Sequence, residues 1–186
     1  TKKYMTDPVE VKVNSKRVIN ENIEHKFKLV RRHDKPMALK RLIDFYPDMY
    51  GVVFCRTKIE TQKLAESLMK DGYAVEALHG DLSQSQRDAV MSKFRAGSIR
   101  VLLATDVAAR GIHVDDVKLV IQLDLPEEYK TYLHRAGRTG RAGRSGTVIS
   151  LVPSGRTRKV EGLLQRADRE ATYNQVTPGH ELIEEL

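Results

Sequence analysis

Four arginines at three-residue spacing, Arg135, Arg138, Arg141 and Arg144, run through residues 134–144 (HRAGRTGRAGR), with Gly137, Gly140 and Gly143 between them and no acid. A guanidinium pairs bidentately with phosphate oxygens and stays charged at any working pH. A glycine lets the backbone come close to whatever the arginines hold. Together these residues make a phosphate-facing cluster. A flexible basic linker has a similar composition, but apolar, structured segments flank this run on both sides.

Three further stretches put reactive or binding side chains at the ends of strands. Residues 79–87 (HGDLSQSQR) place Gln84 and Arg87 three apart at a helix start, where Ser83 and Gln86 have capping-box spacing. A Gln and an Arg there, beside free backbone N–H groups, suit contact with a nucleic-acid backbone; the plain reading is a solvated helix face. Residues 102–112 (LLATDVAARGI) run a strand into Thr105 and Asp106 and on to Arg110 and Gly111. Asp106 reads equally well as a helix cap. Residues 52–58 (VVFCRTK) carry a buried strand into a helix that Thr57 can cap. His134 and Arg135, near a helix end, read as organisers of structure rather than as chemical groups.

The elements that must hold these loops alternate in type. Residues 22–30 alternate polar and apolar like a strand. Leu39, Leu42, Ile43 and Tyr46 fall on one helical face, and Pro47 and Gly51 punctuate its end. The next helix has Leu64, Ala65, Leu68 and Met69 inward and stops at Gly72; the one after carries Val90 and Phe94 and stops at Gly97. Strands are predicted at 52–55, 74–78, 101–104, 119–123 and 147–152, and helices at 129–136 and 157–167. Strand–helix alternation with short connections predicts an α/β fold, a three-layer α/β/α domain on a mainly parallel sheet. Ligands of such folds bind beyond the carboxyl ends of the strands, which directs attention to the loops at 56–58, 79–81 and 105–113 and to the arginine cluster.

Composition narrows the class. The chain of 186 residues is long enough for one domain with a proper core, and is 40% hydrophobic and 31% charged. A net charge of +7 favours a polyanionic partner. The single cysteine, Cys55, excludes an internal disulfide, fits a reducing compartment and reads as a buried structural thiol. No apolar stretch approaches the roughly 20 residues of a membrane span, and the opening TKKYMTDPVE has no signal-peptide core. A cytoplasmic protein is expected. The start without methionine gives the expectation of an excised domain.

The motifs resemble, in order, those of the DEAD-box RNA helicases: VVFCRTK the fourth, HGDLSQSQR with its Gln-x-x-Arg pair, LLATDVAARGI the fifth, and HRAGRTGRAG the last. The resemblance spans nearly the whole chain and implies the C-terminal, RecA-like half of such an enzyme. It implies that Gly80, Gln84, Arg87 and Thr105 touch the RNA backbone and that Arg110 and Gly111 lie at the nucleotide. It also implies that Arg138 and Arg141 are catalytic arginine fingers reaching the γ-phosphate of ATP. Two positions depart from the family pattern. Ala136 replaces a branched aliphatic residue, and His113 stands where relatives carry an aspartate that contacts the ribose.

The chain contains no G-x-x-x-x-G-K-[ST] loop and no DEAD sequence. ATP and Mg²⁺ would then be held mainly by an N-terminal RecA-like domain, which with RNA is the implied partner. No metal ligand set is predicted in this chain. Residues 1–20 are expected to connect from that domain, 21–170 to form the helicase domain, and 171–186 to be a polar tail. Two alternatives stay open: a non-catalytic RNA-binding module on the same fold, and a DNA-directed motor of a related family, whose last motif would more typically begin with Gln than with His134.

Overall fold

The short apolar runs of the sequence become the centre of one sheet. The computed structural model describes residues 10–12, 22–110, 117–140, 144–166 and 174–175. Strands β3 (Gly51–Phe54), β5 (Val101–Ala104) and β6 (Leu119–Gln122) are buried at every residue. Strands covered by helices on both faces have to be continuously apolar. Around them lie β2 (Ile23–Leu29), β4 (Val75–Leu78) and β7 (Gly146–Val152), giving the order β2-β7-β6-β3-β5-β4 with every neighbouring pair parallel.

Two short strands lengthen the edge at β2. Strand β1 (Glu10–Lys12) pairs with it antiparallel through Glu24 to Lys26, and β8 (Asn174–Gln175) pairs with it parallel at Lys28 and Leu29. Residues from both the expected connector and the expected tail therefore join the sheet.

Side chains alternate between two cores. On one face, Val52, Phe54, Leu102, Ala104, Val120 and Val148 meet helices α3 (Gln84–Arg95), α4 (Asp106–Arg110), α5 (Tyr129–Ala136) and α6 (Thr157–Arg166). On the other, Val53, Leu103, Leu119, Ile121 and Ile149 meet α1 (Lys35–Phe45) and α2 (Lys58–Lys70). This is the predicted α/β/α sandwich. Among the described residues no helix is long and apolar enough to cross a membrane.

Helix starts follow local chemistry. Thr57 accepts the N–H of Glu60 at 3.1 Å and begins α2. Ser83 and Gln86 form both halves of the capping box of α3. Gly72 and Gly97 follow the ends of α2 and α3, where the sequence placed the stops. One inward position was misjudged. Met69 is 41% exposed, and Thr61 is buried in its place, its hydroxyl donating to the Thr57 carbonyl at 2.6 Å. The inner face is Thr61, Leu64, Ala65 and Leu68, an i, i+3, i+4, i+7 stripe that leaves Met69 on its flank.

Candidate functional site

Parallel pairing in register brings three loops to one edge. Phe54, Ala104 and Leu78 end β3, β5 and β4 side by side. The Cys55 N–H donates to the Ala104 carbonyl at 2.9 Å, and the Thr105 N–H to the Leu78 carbonyl at 3.3 Å. The loops starting at Arg56, His79 and Thr105 are thus neighbours at the carboxyl end of the sheet, and α2 and α3 begin there with their free N–H groups.

Each predicted nucleic-acid residue has a defined place on this edge. Gly80 is exposed, with open space where a Cβ would be. Its loop is fixed by buried His79. Nδ1 accepts the Asp81 N–H at 3.2 Å, which leaves the proton on Nε2 to donate to Gln62 Oε1 at 2.7 Å. Lys58 reaches Asp81 at 2.9 Å and holds its carboxyl below the usual range. Gln84 is exposed and donates to Asp88 at 2.8 Å. Arg87 is half-buried and donates to the Ala108 carbonyl at 3.2 Å, so it bridges α3 to α4 as well as facing the edge. Thr105 accepts the Ala108 N–H at 3.3 Å and is the cap of α4.

The cap expected of Asp106 is therefore taken by Thr105. Asp106 instead receives Arg135 from α5 in a bidentate pair, Nε to Oδ1 at 2.8 Å and Nη2 to Oδ2 at 2.7 Å. The remaining fork of Arg135 donates to Gln122 Oε1 at 2.9 Å and to the Asp124 carbonyl at 2.8 Å. Its guanidinium carbon lies 5.1 Å from the Phe54 ring centroid, a cation–π geometry. The Arg135 side chain is 5% exposed. A charge so buried has to be paired and hydrogen-bonded. Gln122 in turn donates to Ser150 at 2.8 Å. Sequence reasoning passed over Gln122 and Asp124. The available signal was two polar residues in the run LVIQLD, because a polar group inside a covered strand requires a partner.

Asp124 also anchors a charged cluster. Lys35 reaches its Oδ1 at 2.9 Å and Arg56 at 3.6 Å. Burial pushes this carboxyl up, but Lys35 outweighs it and holds it below the usual range. Glu60, which accepts the Arg56 N–H at 3.2 Å, is raised by burial and then by Asp124. Cys55 is buried beside them, and burial pushes its thiol up to about 12.

The arginine cluster lies elsewhere than its grouping with the carboxyl-end loops predicts. Helix α5 returns the chain to the amino end of the sheet, where β7 must start parallel to β6. Thr139 bridges Val117 just ahead of β6, with Val117 N–H donating to the Arg138 carbonyl at 3.1 Å and Thr139 Oγ1 donating to the Val117 carbonyl. Gly140 has φ 70°, and a Cβ there would meet Ile23 Cγ1 at 2.5 Å. This glycine makes room for the protein's own first parallel strand. Arg138 is half-buried, and Arg110 is exposed at the last residue of α4. Gly111, His113 and Arg141 lie outside the described residues. Helix α4 thus runs from Thr105 on the loop edge to Arg110, five helical residues or about 7.5 Å.

The family described as Helicase conserved C-terminal domain matches residues 34–143. The DEAD-box ATP-dependent RNA helicase CshA of Bacillus cereus is 41% identical over 167 residues, 88% of this chain. The chain belongs to the DEAD-box helicases, as their C-terminal domain. It spans 32% of the length of CshA. Escherichia coli SrmB, in its structure bound to regulator of ribonuclease activity A, has 34% identity and a TM-score of 0.73, covering 90% of this chain and 94% of that one. Saccharomyces cerevisiae Dbp5 bound to RNA and ADP BeF3 has 30% identity and a TM-score of 0.73, covering 90% and 44%. In this DEAD-box domain, Arg135 is an internal strut of the last motif, while Arg138 lies on the turn beyond its helix.

Proposed function

We propose that this domain supplies half of an ATP site and half of an RNA groove to a full-length ATP-dependent RNA helicase. The observation that carries this reading is α4. It starts at Thr105, ends at Arg110, and is held at its cap, at Asp106 by Arg135, and at Ala108 by Arg87. A short helix so clamped moves as a unit, so a change at one end is felt at the other. Dbp5, a relative solved with both RNA and ADP BeF3, supports two ligands on this fold.

On the groove side, Gly80 lets a strand approach, Gln84 and Arg87 offer donors, and the Thr105 hydroxyl keeps its proton for a phosphate oxygen while accepting from Ala108. On the nucleotide side, Arg110 and Gly111 flank the ATP, and Arg138 and Arg141 neutralise charge on the transferred phosphoryl group, an effect worth about 10³–10⁵ in rate. Among the described residues no group of three or more His, Cys, Asp or Glu could hold a metal ion. Mg²⁺ and the phosphate cradle belong to the N-terminal RecA-like domain. When bound between the halves, ATP with Mg²⁺ supplies the reactive γ-phosphate; closure aligns the groove and bends one strand so that a short duplex melts.

Phosphate release should therefore be measured with and without RNA, for the full-length protein and for the 186-residue chain alone. The expected result is RNA-stimulated hydrolysis by the full-length protein only. RNA-stimulated turnover by the isolated chain would overturn the half-site reading.

A further inference from the structure

A cavity of about 150 Å³ opens beside Arg56 of the 56–58 loop, at the carboxyl ends of β2, β7, β6 and β3, and none of the residues assigned above to RNA or nucleotide lines it. Five cationic side chains line it, Arg32, Lys35, Arg56, Arg156 and Lys159, against two acidic ones, Glu60 and Asp124. Asp124 is half-buried and Glu60 exposed. Asp124 holds Lys35 at 2.9 Å and draws Arg56 to 3.6 Å, and those two cations account for its charge. Lys159 is tied by Glu127 at 2.7 Å, whose carboxylate is 85% exposed, and donates to the Leu125 carbonyl at 3.4 Å. Arg32 and Arg156 are exposed at the mouth, and their side chains make no ion pair among the described residues. Cations gathered around a small hollow repel one another unless an anion completes it. The hollow is of a size for one phosphate group, and arginine forks suit its oxygens.

The cavity is continuous with the groove. Arg56 adjoins Thr57 and Lys58, and Lys58 pairs with Asp81 next to Gly80. Behind both, Arg135 joins the Asp124 carbonyl to Asp106, next to Thr105. A strand lying across Gly80 and Thr105 and continuing past Thr57 meets Arg56 first.

We propose that this cavity is a phosphate subsite, gripped by Arg32, Arg56, Arg156 and Lys159. Its source is either a backbone phosphate of RNA leaving the groove or a free phosphorylated small molecule. Only the first source rests on the RNA reading above.

The test uses the 186-residue chain and the double variant Arg32→Ala/Arg156→Ala, both exposed positions outside the helicase motifs, with circular dichroism to confirm the fold. Oligouridylates of about 4 to about 16 nucleotides, the range of single-strand site sizes, are titrated by fluorescence anisotropy at several salt concentrations. Inorganic phosphate and pyrophosphate are titrated separately, following the amide resonances of Arg32 and Arg156 and of their neighbours. If RNA is the source, affinity of the wild type rises with length. The variant matches it for the shortest strand, gains nothing from the longer ones, and has a salt slope shallower by about 0.7 for each lost phosphate contact. If a free phosphate is the source, the inorganic ions shift the pocket resonances saturably, the variant abolishes this, and both proteins respond to strand length alike. Failure of every strand to bind the wild type would count against the RNA groove alone, because the phosphate titration still reads the pocket. If the variant shows no length-dependent loss of RNA affinity and the inorganic ions give no saturable shift, the proposal is overturned.

Discussion

Arg135 and Arg138 stand three residues apart in one motif and have opposite fates. Arg135 is on the last turn of α5, 5% exposed, and spends its fork on Asp106, Gln122 and the Asp124 carbonyl. Arg138 follows Gly137, the cap of α5, and is half-buried in the turn that bridges to Val117. One helix end divides the two. Inside it, a guanidinium is an internal strut between two helices and two strands. Beyond it, the same residue type sits half-buried on a turn at the other end of the sheet. A repeated motif is therefore no sign of a repeated role.

The comparison breaks most sharply on activity. In the full-length protein, Arg138→Ala or Arg141→Ala is expected to lower RNA-stimulated ATP turnover by about 10³ or more. The fold should lose less than roughly 1 kcal/mol, because a stretch with three glycines carries little core. Lysine rescues poorly at either position, since the planar fork is lost. Near-normal turnover in either alanine variant would end the finger assignment, while denaturant melts of the same proteins check the fold.

Arg135→Ala reverses this pattern. It leaves the Asp106 carboxylate, Gln122 Oε1 and the Asp124 carbonyl without their donor. Removing one partner of a buried pair costs about 3–5 kcal/mol. Urea unfolding of the domain reads this directly. The double variant Arg135→Ala/Asp106→Ala should cost less than the sum of the singles, because the stranded charge is gone. Strict additivity would show that the pair is not a unit.

Much of this architecture was legible in the sequence, for local reasons. Period and apolar runs placed α5 at its observed bounds and the three central strands to within a residue. Ser83 and Gln86 announced a capping box that the structure contains. What stayed hidden was set by long-range pairing. Arg135 meets Asp106 across 29 residues of sequence, and nothing local tells Asp106 to yield the cap to Thr105. The end of the sheet on which the arginine cluster sits follows from counting a crossover helix back to the start of a parallel strand. The glycines of that cluster were read as room for a ligand, yet Gly140 makes room for Ile23.

Gly140→Ala should destabilise through two effects. A left-handed backbone costs a residue with a Cβ roughly 1–2 kcal/mol. Displacing Ile23, 2.5 Å from the new atom, adds about 1–3 kcal/mol of overpacking. A thermal melt of the isolated domain should fall accordingly, and an unchanged melt would mean that the turn relaxes freely.

The smallest effect falls on α4, the helix between the two regions. Thr105→Val keeps the shape and removes the hydroxyl that accepts from Ala108. A lost N-terminal cap costs about 0.5–2 kcal/mol, and the phosphate donor goes with it. Thr105→Ser retains both. If α4 links the groove to the nucleotide, Thr105→Val in the full-length protein weakens RNA affinity and also raises the RNA concentration needed to stimulate ATP turnover. Thr105→Ser should restore both RNA readouts. A variant that lost RNA affinity while ATP stimulation kept its normal RNA dependence would separate groove from nucleotide and leave α4 as a packing element only.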